Sequence, residues 1–249
     1  DCGPTSKGSK TYKGDPKYFG DMVNYMDKII GQILDQLEAS GVRDNTIVLF
    51  TGDNGTDTPV VSMMNGRKVV GGKGTTPDAG CRVPFIAHWP GHTPSGVVSQ
   101  DLVDFSDFMP TLCEAAGVPL PSDRPVDGRS FLPQLRGEKG NPRDWIYVWY
   151  ARNGGPTGKE FSRNQRYKLY GSGEFYDIQN DVLEKSPLSP AGLTKEQAGV
   201  NGMLQVALKQ YDDARPPRFA NWAAEAKKAK QKAQAEKTAT QKKNKSNSS

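Results

Sequence analysis

Three short runs hold the residues best suited to chemistry. Phe50-Thr51-Gly52-Asp53-Asn54-Gly55 sets a carboxylate beside an amide just past an apolar stretch. Both side chains offer oxygen, the donor that hard cations such as Ca2+ or Mg2+ prefer. An acidic residue beyond the C-terminal end of a buried strand also stands where open α/β sheets place ligands. Asp-Asn-Gly is equally a common turn, so the run alone leaves a turn and a cation site as alternatives. In Gly71-Gly72-Lys73-Gly74-Thr75 the glycines permit close backbone approach, and a Lys among them can neutralise an oxyanion. A flexible loop carrying a solvated Lys is the other reading; the GxxxxGK[ST] spacing of a phosphate-binding loop is absent. In Gly80-Cys81-Arg82-Val83-Pro84, Arg82 is suited to an anion or to an internal carboxylate, and the structural pairing is preferred.

These runs need elements to position them. Met22, Met26, Ile29, Ile33 and Leu37 recur at three- and four-residue steps, predicting a helix over 18–40 that Gly41 terminates. Residues 45–51 (NTIVLFT) read as a strand buried on both faces, as in a parallel sheet. A helix followed by such a strand is half of an α/β repeat. The glycine-rich stretch 52–82 reads as one long functional loop. Residues 83–89 read as a second strand, followed by a helix capped by Ser106 or Asp107 and ended at Gly117. A short helix near 130–136 comes next. Beyond residue 140 the aromatic runs 145–151, 165–170 and 174–178 predict a small antiparallel sheet. A helix over 194–211 follows, with Thr194 and Gln197 spaced as a capping box. A frayed helix over 221–237 is expected to give way to disorder.

Composition excludes several classes. The net charge of +5 is local: from Arg215 onward there are ten Lys or Arg and two Glu, leaving 23 basic and 26 acidic residues before it. A nucleic-acid-binding body therefore has no support from charge. No apolar run is long enough to span a membrane. Cys2, Cys81 and Cys113 have no metal-ligand spacing. Asp1-Cys2-Gly3-Pro4 reads as cut from something longer.

Taken in order, the segments resemble the sulfatase family of the alkaline-phosphatase superfamily. The resemblance rests on Leu37-Glu38-Ala39-Ser40-Gly41, Asp44-Asn45-Thr46, FTGDNG, GGKGTTPDAGCRVP and HWPG. It continues through Asp107-Phe108-Met109-Pro110-Thr111-Leu112, Asp127-Gly128-Arg129-Ser130, RYKLY and Glu174-Phe175-Tyr176-Asp177-Ile178. It implies an α/β fold with a mixed, mostly parallel sheet flanked by helices, present in part, and a small C-terminal antiparallel-sheet subdomain of four strands. The expected divisions are an irregular segment 1–17, the α/β part 18–140, the small subdomain 141–214 and a basic low-complexity tail 215–249.

The resemblance further implies sulfate-ester hydrolysis, with a sulfate-ester small molecule or sulfated glycan as substrate, in a periplasmic or secreted setting. Asp53 and Asn54 match two ligands of the active-site cation, Ca2+ with Mg2+ or Mn2+ as alternatives. Lys73 matches a lysine that contacts a sulfate oxygen, and Arg82 a structural arginine. The family's nucleophile is a formylglycine made from the Cys or Ser of a C/S-x-P/A-x-R motif. Cys2 precedes Gly-Pro-Thr-Ser, Cys81 precedes Arg-Val-Pro and Cys113 precedes Glu-Ala-Ala, so no cysteine fits and no nucleophile is assigned. The formylglycine is expected in a missing N-terminal half. This chain is expected to be inactive and poorly folded alone. A phosphodiesterase or phosphonate hydrolase of the same superfamily, and a non-catalytic binding module whose Lys-rich tail holds a polyanion, are the alternatives. His88 and His92 read as a strand and a surface-loop residue.

Overall fold

The computed structural model describes residues 16–151 and 158–214. The expected helix over 221–237, Cys2 and nearly all of the segment 1–17 lie outside them.

Helix α1 runs Phe19–Ala39. It ends at Gly41, whose φ of +67° needs no Cβ to be accommodated. The Gly41 N–H donates to Glu38 O at 2.9 Å and the Val42 N–H to Leu37 O at 3.2 Å, both bonds of a Schellman motif. The apolar stripe is present but uncovered: Met22 and Ile33 are each 54% exposed.

Strand β1 (Val48–Thr51) pairs with β4 (Phe85–His88) in antiparallel register, Val48 opposite His88 and Thr51 opposite Phe85. This corrects the expectation of a mostly parallel sheet, because every strand pair among the described residues is antiparallel. A parallel return requires a crossover of about a dozen residues, usually a helix laid across the sheet. Between β1 and β4 the sole helix, α2 (Asp78–Cys81), is one turn long. The connection instead doubles back on itself and delivers β4 from the opposite end. β1 is half-exposed along its length rather than buried on both faces, since a two-stranded ribbon cannot cover its own surfaces.

The stretch 52–82 is also more ordered than a single loop. It contains a hairpin, β2 (Val61–Met64) and β3 (Arg67–Val70), turned at Asn65-Gly66 with φ of +51° and +74°. Asn-Gly between short apolar runs is the sequence signal for such a turn, and it was there to be read.

Helix α3 (Phe108–Ala115) has Asp107 at its N-cap position but without a side-chain cap bond, and the 3-10 turn that leads into it is capped by Asp104. Asp104 accepts from the Ser106 N–H at 3.0 Å, and Asp107 accepts from the Asp104 N–H at 2.8 Å. Asp107, 2% exposed, also takes both guanidinium arms of Arg143 and the Arg129 N–H. Phe85, Phe108 and Phe131 pack in tilted and edge-to-face pairs between β4, α3 and the start of the one-turn α4 (Leu132–Leu135).

The C-terminal sheet is four antiparallel strands in the order β5 (Ile146–Tyr150), β6 (Lys159–Arg163), β7 (Tyr167–Tyr170), β8 (Phe175–Asp177). Helix α5 (Lys195–Lys209) covers one face. Thr194 and Gln197 form the capping box, and Val200, Met203, Leu204, Ala207 and Leu208 supply one apolar face at helical spacing. Leu204 packs on Tyr167, Leu169 and Phe175, the main core cluster.

Candidate functional site

β1 delivers the chain at Thr51, so Asp53 and Asn54 lie just beyond a strand's C-terminal end, Asp53 exposed and Asn54 half-buried. The backbone then makes contacts that only glycines allow. The Gly55 N–H donates to Gly80 O at 2.9 Å, and a Cβ built on Gly55 would stand 1.9 Å from Ala79 O. A Cβ on Gly71 would likewise stand 2.0 Å from Asp57 O. The Lys73 N–H donates to Thr56 O at 2.9 Å. Residues 53–57, 71–75 and 79–80 are thereby drawn into one knot.

The knot brings the backbone of Lys73 against the segment that carries Asp53 and Asn54. The side chains of Asp53 and Lys73 are both exposed, and neither has a hydrogen-bond or ion-pair partner among the described residues. Opposite charges on adjoining segments, not neutralising one another, suit a cation on one side and an oxyanion on the other. The donors fit a hard cation in kind: one carboxylate and one amide oxygen. They fit only part of its shell, because such cations take six or more oxygens. No group of three or more His, Cys, Asp or Glu assembles among the described residues.

Arg82 is not drawn into the knot. Its guanidinium lies 3.7 Å from Asp78 and its side chain is 73% exposed. His88 stands in β4 opposite Val48, its Nδ1 accepting from Arg43, and His92 stacks on Trp89 with ring centroids 4.0 Å apart.

The residues that hold the knot from behind were not singled out in the sequence. Arg163 of β6, 7% exposed, pairs with Asp78. Lys168 of β7 is fully buried, donates to the Thr76 carbonyl and sits 2.7 Å from Glu184. Tyr170 reaches both the Glu184 carboxylate and the Thr76 hydroxyl, the latter at 2.9 Å. Burial, then donation to Glu184, pushes the Tyr170 hydroxyl far above its ordinary value, so it stays protonated. Cys81 lies 3.0 Å from Thr76 O. Burial raises its thiol against the opposing Lys168 charge, which makes it an inert thiol. A lone Lys inside the aromatic run RYKLY, with a Glu further on, was the available signal: a charge in a buried strand must be paired. Cys81 and Cys113 are both free and only half-buried.

Comparison with known proteins gives a consistent result. Residues 5–118 match the sulfatase family, and residues 73–211 match the family described as N-sulphoglucosamine sulphohydrolase, C-terminal. Human N-acetylgalactosamine-6-sulfatase is 42% identical over 120 residues, 47% of this chain and 23% of that protein. Human steryl-sulfatase is 28% identical over 223 residues, 74% of this chain and 38% of that protein. A protein solved in complex with its substrate D-glucosamine-2-N,6-O-disulfate superposes with a TM-score of 0.62 at 27% identity, covering 78% of this chain and 40% of that one. The chain thus spans between 23% and 38% of the length of these two curated relatives.

Proposed function

Because the chain belongs to the sulfatase family, we propose that it supplies the cation-and-lysine portion of a site that hydrolyses sulfate esters. The observation that carries this reading is the backbone knot, in which Lys73 N–H and Thr56 O are 2.9 Å apart. It fixes the ammonium-bearing loop against the segment that presents Asp53 and Asn54.

Asp53 and Asn54 would hold a divalent cation, Ca2+ first with Mg2+ or Mn2+ as alternatives, through one carboxylate and one carbonyl oxygen. A cation bound there supplies Lewis-acid polarisation of the sulfate group. Lys73 lends its ammonium to the sulfuryl oxygens, offsetting their charge as the ester bond breaks and its electron pair passes to the leaving oxygen. Gly71 and Gly72 let the Lys73 loop close against residues 57 and 79, which sets where its backbone stands. Arg82 would steady the end of α2 through Asp78.

The attacking group would be a formylglycine. The 249 residues hold no C/S-x-P/A-x-R motif from which one is made. This chain by itself is therefore expected to turn over no aryl sulfate. A sulfated carbohydrate is the proposed substrate class, supported by likeness to the N-acetylgalactosamine-6-sulfatase and to the protein solved with a sulfated glucosamine. A periplasmic or secreted location accords with that class; no helix among the described residues is long and apolar enough to cross a membrane. The α/β part 18–140 would carry the site and the subdomain 141–214 would brace it.

Nuclear magnetic resonance on the 249-residue chain tests the reading. Ca2+ should shift the Asp53 and Asn54 signals with a dissociation constant of about 10⁻⁴–10⁻³ M, the range of weak oxygen sites. Inorganic sulfate should then shift the Lys73 side chain. Asp53→Asn should abolish the first response and Lys73→Ala the second. Ca2+ responses that survive Asp53→Asn would remove the cation site. Aryl-sulfate turnover above that of Lys73→Ala would overturn the partial-site reading.

A further inference from the structure

We propose that Lys168, Tyr170 and Glu184 are positioning residues that hold the Lys73 loop through Thr76. The proposal rests on the reading of Lys73 as the sulfate contact and adds the device that sets where its backbone stands.

Thr76 is 3% exposed and is held at two atoms. Its carbonyl accepts from the Lys168 ammonium, and its hydroxyl lies 2.9 Å from the Tyr170 hydroxyl. Glu184 is an acceptor only, so it takes the Tyr170 proton, and the Thr76 hydroxyl must then donate to Tyr170. The same carboxylate sits 2.7 Å from Lys168 through its other oxygen. Lys168 is closed off by the Phe161 ring, whose centroid is 3.9 Å from Nζ. Thr76 is thus held by Lys168 at its carbonyl and by Tyr170 at its hydroxyl, and Glu184 ties those two side chains together.

Two features mark this as more than a chance buried pair. Glu184 holds φ at +53°, a conformation a non-glycine residue keeps only when its surroundings enforce it. Thr76 is also three residues beyond Lys73, and the Thr75 N–H bonds Gly72 O at 3.0 Å across the intervening turn. Fixing Thr76 therefore fixes one end of that turn, and the Lys73–Thr56 bond fixes the other. The loop is held at both ends while the Lys73 side chain stays exposed.

The test separates position from stability. Cys2→Ser with Cys113→Ala leaves Cys81, which touches Thr76 O, as the one thiol. Lys168→Met with Glu184→Gln then removes both charges together, an exchange that is often close to neutral for folding. Iodoacetamide should alkylate Cys81 about tenfold faster in this variant, the factor of a local opening made about 1.4 kcal/mol easier. Amide exchange should rise at 72–76 but not in β7 or α5, and the sulfate shift of Lys73 should be lost. Tyr170→Phe, which keeps the ion pair, should give the same pattern at smaller amplitude. Unchanged exchange and alkylation in both variants would overturn the proposal. So would loosening that spreads in step through β7 and α5, or a Lys73 sulfate shift that survives a loosened loop. If the parent chain shows no sulfate shift while the loop still loosens selectively, the clamp stands and the sulfate reading falls.

Discussion

Arg163 and Lys168 stand directly opposite one another in the β6–β7 register, and both reach back to the same short stretch of the α/β part. Arg163 takes the Asp78 side chain and Lys168 the Thr76 carbonyl. Two like charges facing each other across a ladder are unfavourable unless each has its own partner, and here Asp78 and Glu184 provide them. The C-terminal sheet therefore grips the loop that carries Lys73 with a paired set of buried cations.

The grip has an energetic signature. Glu184→Gln alone leaves the fully buried Lys168 ammonium without its counter-charge and should destabilise the chain by about 3–5 kcal/mol in urea unfolding. Adding Lys168→Met should recover most of that loss, so the double-variant cycle should show strong coupling. Additive single effects would mean that the two side chains do not act as a pair.

The glycine knot should be intolerant where the hairpin is tolerant. Gly55→Ala forces a methyl group into Ala79 O and should cost about 1–3 kcal/mol through local displacement. It should also abolish the Ca2+ response of Asp53 and Asn54. Gly66→Ala meets nothing within 4 Å and costs only the positive-φ strain, about 1–2 kcal/mol. Its Ca2+ response should be intact. Equal behaviour of the two variants in that titration would show that the knot does not form the site.

Acid should act on the C-terminal sheet through Asp177. Burial works against its ionisation, but hydrogen bonds from Arg166 and Asn180 prevail and hold its carboxyl below the usual range. A depressed folded value gives stability that is present in full above the ordinary carboxylate value of about 3.9 and is lost as pH falls through the folded value. The Arg166 side chain is 41% exposed, so water screens the pair and its contribution is small. Urea midpoints of the parent and Asp177→Asn should differ at pH 7, and the difference should shrink progressively as pH is lowered below about 3.9. A difference that does not shrink with acid would assign the effect to packing.

The uncovered face of α1 should bind hydrophobic dye. Met22, Met26 and Ile33 are 54%, 43% and 54% exposed on one stripe. Met22→Glu with Ile33→Lys should cut dye fluorescence about twofold, as expected when a large apolar patch is divided by charge. Helix content should be unchanged by circular dichroism. Fluorescence that does not fall would locate the dye elsewhere.

Local chemistry was legible wherever it was decided locally. The α1 stripe and its Gly41 stop, the Thr194–Gln197 box, three of the four strands of the C-terminal sheet, and the aromatic character of that sheet all followed from periodicity and end signals. The β2–β3 hairpin was legible too, through Asn65-Gly66, but glycine richness around it argued for a loop. The Asp104 cap was obscured because three capping residues, Asp104, Ser106 and Asp107, crowd one turn.

By itself the sequence determined the family pattern, and with it the residues proposed for chemistry, Asp53, Asn54 and Lys73, because spacing along a chain is a property of the chain. Tertiary structure alone decided that β1 and β4 run antiparallel, that Gly55 meets Gly80, and that Lys168, paired with Glu184, closes on Thr76. Those contacts join positions up to 92 residues apart. A buried charge accepts any suitable counter-charge that folding brings within reach, so its partner is fixed by packing and leaves no periodic trace along the chain.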